Sequence, residues 1–246
     1  MKLSIIISAF NEEGTVFNIL ESVCAVSLNN SILSERLFKE IIVIDDGSSD
    51  NTAALVQQFA SRHPEGKSIS LLRLDRNYGK GRAIREGLKI ASGDIIIIQD
   101  ADLEYDPEEN FPILLAPFFD KRQADVVYGS RFLAPASVRP IYFWHLLGNR
   151  FLTFLTNLCT GLILTDMETG YKVFRRSVVQ ELTPILKSDD FCIEPELTIK
   201  IAHRQWRIFE VPITYTSRTY EEGKKIGWRD GLKAIVTIIK CTVWDR

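Results

Sequence analysis

The chain has 246 residues, 46% of them hydrophobic and 25% charged, the proportions of one elaborated globular domain. This excludes a disordered chain, a collagen-like repeat and a disulfide-stapled scaffold, and a net charge of −2 argues against a whole-molecule nucleic-acid binder, which would be basic. The near-neutral total divides unevenly: residues 1–125 carry 13 basic and 20 acidic side chains and residues 126–246 carry 17 and 12, a pattern that points to two different charged tasks.

Residues 3–9 (LSIIISA) form a short β-rich apolar run, followed at helical spacing by Val16, Ile19, Leu20 and Val23. A second run, 40–44, ends in Asp45-Asp46-Gly47-Ser48-Ser49-Asp50, where Ser49 or Asp50 is placed to cap a helix carrying Ala53, Leu55, Val56 and Phe59. Residues 69–74 are a third run and 94–98 a fourth. The helix between them, 79–91, has Ala83, Gly87 and Ala91 as a smooth stripe for close packing on a sheet. The runs are continuously apolar rather than alternating, as in parallel strands buried on both faces. The first 110 residues therefore read as a doubly wound half-sheet, which binds ligands beyond the carboxyl ends of its strands. Gly79-Lys80-Gly81 lacks the Gly-Lys-Ser/Thr of a P-loop.

The second half is less regular. Val126-Val127-Tyr128 is a short strand ending in Gly129-Ser130-Arg131. A pair of helices, core or interfacial, is expected from about 141 to 164, then a loop and strand over 165–174 and a helix over 194–203. A strand over 207–215, a polar loop over 217–227 and a helix over 228–243 complete the chain. That last helix has Trp228, Leu232, Ile235, Val236, Ile239 and Val243 on one face, flanked by Arg229, Lys233 and Lys240. The pattern suits the core or the surface of an anionic bilayer, and Tyr142-Phe143-Trp144 between Arg139 and Arg150 is a second expected contact. No run of about 20 uninterrupted apolar residues offers a spanning helix, and the start, MKLSIIISAFNEEG, does not read as a signal peptide. Cys24, Cys159, Cys192 and Cys241 lack metal-ligand spacing and read as reduced thiols of a cytosolic protein. One domain over 1–246 is expected rather than two.

The informative residues stand just after strands. Asp45-Asp46 follows the second run, and Gln99-Asp100-Ala101-Asp102-Leu103-Glu104 follows the fourth. Clustered carboxylates repel one another unless a cation or donor group answers them. Mg²⁺ takes one or two carboxylates and completes its shell with substrate phosphate and water, and the Asp-x-Asp spacing lets two acidic side chains address one ion and its ligand.

These residues carry a resemblance. SIIISAFNEE, IIVIDDGSSDNT, NYGKGRAIREGLKIASGD and IIIIQDADLEYDP resemble the nucleotide-binding half of family-2 glycosyltransferases, nearest the dolichyl- and polyprenyl-phosphate sugar synthases. The likeness continues through VVYGSRF, TDMETGYKVFRR and FEVPITYTSRTYEEGKKIGWRDG. It implies a single GT-A domain, α/β with a mostly parallel central sheet, that moves a hexose from a UDP- or GDP-linked donor with inversion. Residues 1–110 would bind donor and metal, and 111–246 the acceptor.

Position by position, the resemblance sets base and ribose against Ser8, Phe10, Glu12, Ile44 and Asp46, the diphosphate at Asp100, Ala101 and Asp102, and Mg²⁺ or Mn²⁺ at Asp102 and Glu104. Ser8 stands where relatives often have Pro, Phe10 where Tyr is usual, and Glu104 where the mannose synthases often have Gln. Arg131, Arg218 and Lys224, with Lys225 adjacent, match residues that bind the phosphates of donor and acceptor; a guanidinium fork and an ammonium suit oxyanions, and Gly223 and Gly227 would let that loop close. A polyprenyl phosphate acceptor is already anionic at neutral pH and needs positioning and charge compensation, not a base. A hydroxyl acceptor (saccharide or glycolipid) would need one, with Asp166 or Glu194 available, although Asp166 reads rather as ordering the TDMETG loop. The implied location is the cytoplasmic face of a membrane, peripherally attached, with no nucleic-acid partner.

Overall fold

The computed structural model describes residues 1–27, 37–133, 142–217 and 228–244. The four apolar runs become β1 (Lys2–Ala9), β2 (Phe38–Asp45), β3 (Ile69–Arg73) and β4 (Ile95–Asp100). Between them lie α1 (Val16–Ala25), α2 (Thr52–Arg62) and α3 (Lys80–Ile90). β1 pairs in parallel with β2 and β4, and β2 with β3. Alternate residues serve opposite layers: Ile5, Ile7 and Val43 pack with Val16, Leu20 and Phe59, while Ile6, Ile42 and Ile96 pack with Ala83, Ile84 and Leu88 of α3. Both faces are buried, so the runs show no polar alternation. A side chain at Gly87 would run into Ile6, which accounts for the small-residue stripe on α3. The N-cap of α2 is Asn51 rather than the expected Ser49 or Asp50, and the Asp50 carboxylate, one residue before it, accepts from Thr52 N at 3.0 Å.

The sheet is completed by β5 (Val126–Ser130), β6 (Lys172–Arg175) and β7 (Ile208–Pro212) in the order β3-β2-β1-β4-β6-β5-β7. β6 runs antiparallel to β4 and β5, and β7 parallel to β5. The strand expected over 207–215 stops at Pro212.

α4 (Pro107–Phe119), which the sequence reading did not include, starts with Pro at N1, and Asp106 accepts from Glu108 N at 2.8 Å. The helix pair expected over 141–164 is a single helix, α5 (Phe143–Thr160). Its polar residues are not breaks: Asn149 reaches Asp166, and Asn157 receives Leu164 N and donates to Leu164 O, fastening the turn after the helix. The remaining helices are α6 (Arg176–Leu182), α7 (Ile193–His203) and α8 (Trp228–Val243). α5, α7 and α8 close on one another through Leu152, Ile199, Ala234, Ile238 and Cys241. The side chains of Arg139, Trp228 and Arg229 lie outside the described residues. None of the four cysteines is in a disulfide. Among the described residues, no helix is long and apolar enough to cross a membrane.

Candidate active site

Strand register brings the first set of candidates to one edge. Ser8 on β1 stands level with Ile44 on β2 and with Asp100 on β4, so the chain leaves three strands at one height. The side chains of Ile44 and Ala101 turn into the core, whereas Ser8 and Phe10 are half-buried at the edge. The turn carrying Glu12 is stitched to the turn after β2: Asn11 N donates to Ser48 Oγ and Glu12 N to Thr52 Oγ1, both at 2.9 Å. Asp45 is fully buried, accepting from Ser48 N at 3.0 Å and pairing with Arg73 Nε at 3.2 Å. Asp46 accepts from Tyr78 N at 2.9 Å and Gly79 N at 2.7 Å, which ties the first strand edge to the start of α3. Burial raises the Asp46 pKa, as do the charges of Asp45 and Asp189, against the pull of those two N–H donors.

α3 supplies a residue that sequence reading passed over. Lys80 Nζ lies 2.8 Å from Asp100 Oδ1 and 3.3 Å from Glu194 Oε1. Burial alone would drive its ammonium toward neutrality, but the two carboxylates outweigh that and hold it charged, above the usual lysine range. Lys80 therefore answers the Asp100 charge, and the half-buried Asp102 and Glu104 carry the remaining anionic charge of the turn. Asp102 Oδ1 accepts from Glu104 N at 3.3 Å, which folds the acidic turn on itself. Among the described residues no three metal-ligating side chains converge. The donor set is thus two hard carboxylates in one turn, which fits an Mg²⁺- or Mn²⁺-type ion that draws its other ligands from a diphosphate and water.

The second centre is Arg131, at the end of β5. Its Nε and Nη2 donate to the two oxygens of Asp166, each at 2.7 Å, and its backbone N donates to the same carboxylate at 3.2 Å. Asn149 of α5 adds a donor to Asp166 at 3.1 Å. Burial would raise the Asp166 pKa, yet the Arg131 guanidinium holds the carboxyl below its ordinary range. Arg131 also lies over the Tyr215 ring, 5.2 Å from its centroid. Burial raises the Tyr215 pKa, and the Glu104 charge adds to this while the Arg131 charge opposes it. Thr216 N donates to Glu104 O at 2.8 Å, which keeps this segment beside the acidic turn.

The other expected base, Glu194, is buried and salt-bridged to Lys172 and Lys80. Neither Asp166 nor Glu194 is an uncommitted carboxylate. Glu168, in the same TDMETG loop, differs: its Oε1 is buried without a hydrogen-bond partner, and its pKa is raised to about 7, by burial first and then by Glu194. A carboxyl whose native pKa lies above its unfolded value binds more protons when folded, so its contribution to stability is present at low pH and declines as pH rises from about 4.5 to about 7. In urea titrations across that window, Glu168→Gln is expected to flatten the fall in stability; an unchanged slope would contradict this assignment. Arg218, Lys224 and Lys225 lie outside the described residues.

The Glycosyl transferase family 2 profile matches residues 4–183. A dolichyl-phosphate beta-glucosyltransferase (ALG5C) of Trichomonas vaginalis is 28% identical over 247 residues, covering 98% of this chain and 71% of that protein. A dolichol-phosphate mannosyltransferase of Pyrococcus furiosus is 29% identical over 231 residues, 92% of this chain and 60% of that protein. A dolichyl-phosphate beta-glucosyltransferase of Dictyostelium discoideum is 28% identical over 219 residues, 87% of this chain and 66% of that protein. The chain thus spans about two thirds of the length of these relatives. Among solved structures, glucosyl-3-phosphoglycerate synthase from Mycobacterium tuberculosis in complex with UDP shares the fold at a TM-score of 0.71 and 19% identity, covering 98% of this chain and 80% of that one. The same enzyme with Mn²⁺, UDP and glucosyl-3-phosphoglycerate aligns at a TM-score of 0.69 and 20% identity, over 97% of this chain and 79% of that one. With the family profile over nearly three quarters of its length, on a seven-stranded GT-A sheet, the chain belongs to glycosyl transferase family 2.

Proposed function

We propose that this protein transfers a hexose from a nucleotide-sugar to a polyprenyl or dolichyl monophosphate, with inversion, at the cytoplasmic face of a membrane. Residues 1–110 form the donor half and 111–246 the acceptor half. Ser8, Phe10, Glu12 and Asp46 line the base and ribose region, with Ile44 contributing through its backbone, and Ala101 contributes through its backbone on the diphosphate side. Asp100, kept in place by Lys80, and Asp102 border the diphosphate. Asp102 and Glu104 would hold Mg²⁺ or Mn²⁺, which when bound supplies charge neutralisation for the leaving diphosphate. Arg131, together with Arg218 and Lys224, binds phosphate and sets the acceptor oxygen against the anomeric carbon.

What carries this reading is the commitment of Asp166 to Arg131 and of Glu194 to Lys172 and Lys80. The site offers compensation for an anionic nucleophile, and a phosphate monoester needs no more than that. The names of the relatives, which act on dolichyl phosphate, support the same acceptor. UDP in the structural neighbours motivates testing a uridine donor first.

Glu168 favours a second reading, transfer to a hydroxyl, because a carboxyl held near pH 7 is a competent general base. Under the phosphate reading Glu168→Gln leaves transfer within a few-fold; under the hydroxyl reading it costs about 10²–10⁴ in rate. The donor is identified by thermal unfolding with UDP-, GDP- and dTDP-sugars, with and without Mn²⁺. The true donor with metal raises stability by about 2.7 kcal/mol at 100 times its Kd, and the others raise it little. No shift with any nucleotide-sugar would overturn the donor assignment.

A further inference from the structure

We infer that Glu196, buried on α7, is a positioning residue for the donor site: it holds residues 187–190 as a strap against the turn at Gly79-Lys80-Gly81, and that turn sets Asp46 and Asp100. This rests on the donor reading above and adds a residue that lies outside the proposed donor contacts.

Residues 186–190 belong to no helix or strand, so their backbone N–H groups need other acceptors. Glu196 supplies two of them. Its carboxylate accepts from Lys187 N at 2.9 Å and from Ser188 N at 2.7 Å. Lys200, one turn on along α7, donates to the same carboxylate at 2.7 Å and also to Ile185 O. Both side chains are buried. Burial would raise the Glu196 pKa, but Lys200 and Ser188 outweigh it and hold the carboxyl below its ordinary range. The acid therefore stays ionised, and its charge strengthens each bond it accepts from the strap.

The other side of the strap bears on α3. Asp189 O accepts from Arg82 N at 3.0 Å. Arg85 donates to Lys187 O at 3.0 Å and to the Asp189 carboxylate at 2.7 Å. The carbonyls stand so close that a Cβ on Gly79 would meet Asp189 O at 2.5 Å, and one on Gly81 would meet Ser188 O at 2.6 Å. Packing this tight transmits a displacement rather than absorbing it. The turn seated there makes two contacts of the donor site, Gly79 N on Asp46 and Lys80 on Asp100. A shift of Ser188 and Asp189 therefore reaches both. α7 supports the donor turn twice: directly, through Glu194 on Lys80, and by way of the strap, through Glu196. Asp190 also pairs with Lys233 of α8 at 3.0 Å, but that pair is exposed and contributes little.

The test joins hydrogen exchange of the full chain to titration calorimetry, with UDP-, GDP- and dTDP-sugars and Mn²⁺ as probes. In Glu196→Gln the amides of Gly79, Arg82, Lys187 and Ser188 are expected to exchange about tenfold faster or more, while β1, inside the sheet, keeps its protection. The Kd of the nucleotide-sugar that wild type binds should rise about 10- to 100-fold, with the acceptor KM unchanged. Glu196→Gln leaves Lys200 buried without its counter-charge. If that variant fails to fold, Glu196→Gln combined with Lys200→Met frees the strap with both charges removed and should give the same two results. Lys233→Met should leave both readings within about twofold of wild type. Unchanged exchange at Gly79 and Arg82 overturns the inference, as does an unchanged donor Kd once the strap amides have lost protection. Protection lost equally from β1 also overturns it, by making Glu196 a residue of the fold alone. A Lys233→Met variant that reproduces the loss does the same, by handing the strap to α8. If wild type binds no nucleotide-sugar, the donor assignment falls, and exchange at Gly79 and Arg82 still decides the strap.

Discussion

Asp102→Asn is expected to lower transfer by about 10²–10³-fold, ~3–4 kcal/mol of transition-state stabilisation, while leaving the unfolding midpoint almost unchanged. The two effects separate because Asp102 does two things. Its Oδ1 accepts from Glu104 N at 3.3 Å, and the carbonyl of an asparagine retains that acceptor. Its charge, by contrast, is one of the two carboxylate charges proposed to hold the ion. Removing it leaves Glu104 as the single carboxylate for a divalent ion. Metal-dependent stabilisation by the nucleotide-sugar should therefore shrink in parallel with rate. Full activity of the variant in Mg²⁺ or Mn²⁺ would remove Asp102 from the metal site.

Asp166→Asn is expected to act on the fold itself. Asp166 has no exposed surface, and Arg131 is largely buried against it. Deleting one partner of such a pair strands the other charge in a low-dielectric site and costs about 3–5 kcal/mol. For a chain of this size that lowers the midpoint by roughly 10 °C. The same pair sets a pH dependence. The Asp166 pKa is depressed in the native state, so its contribution is present above the ordinary carboxylate range and lost as pH falls through the depressed value. Arg131→Met combined with Asp166→Leu should recover most of the stability, since both charges leave together. Transfer should stay lost, because the guanidinium proposed to bind phosphate is gone. A double variant that is stable and fully active would show that Arg131 has no part in the reaction.

The first four strands were legible because their physics is local. β1 to β4 are apolar runs that need no partner information to recognise, and the candidate acids stand directly after two of them. The Lys80–Asp100–Glu194 contact was not legible, because it joins α3, β4 and α7, elements far apart in sequence, and because Gly-Lys-Gly matches no phosphate-loop pattern. α4 was hidden by Pro112 and Pro117 within it. The strand expected within 165–174 is β6, only four residues long; what was not legible is that Lys172 would be buried in it, where apolar residues are the rule. The run from 141 to 164 looked like two helices because Asn149 and Asn157 look like breakers until their partners, Asp166 and Leu164, come into place. The amphipathic pattern at 228–243 did mark α8, but only tertiary packing decides which side is covered: Ala234, Ile238 and Cys241 face inward, and the larger aliphatic residues face out. The uneven charge of the two halves thus has a local basis, with acids at the carboxyl edge of the sheet and Arg131 beyond it.

The most direct measurement presents purified protein, nucleotide-sugar and Mn²⁺ with equal amounts of polyprenyl phosphate and the corresponding free polyprenol, in detergent, and follows labelled hexose into each lipid. Label is expected in the phosphate-linked product alone, with Glu168→Gln retaining that transfer within a few-fold. Label in the free alcohol, abolished by Glu168→Gln, would contradict the phosphate acceptor and make Glu168 the base.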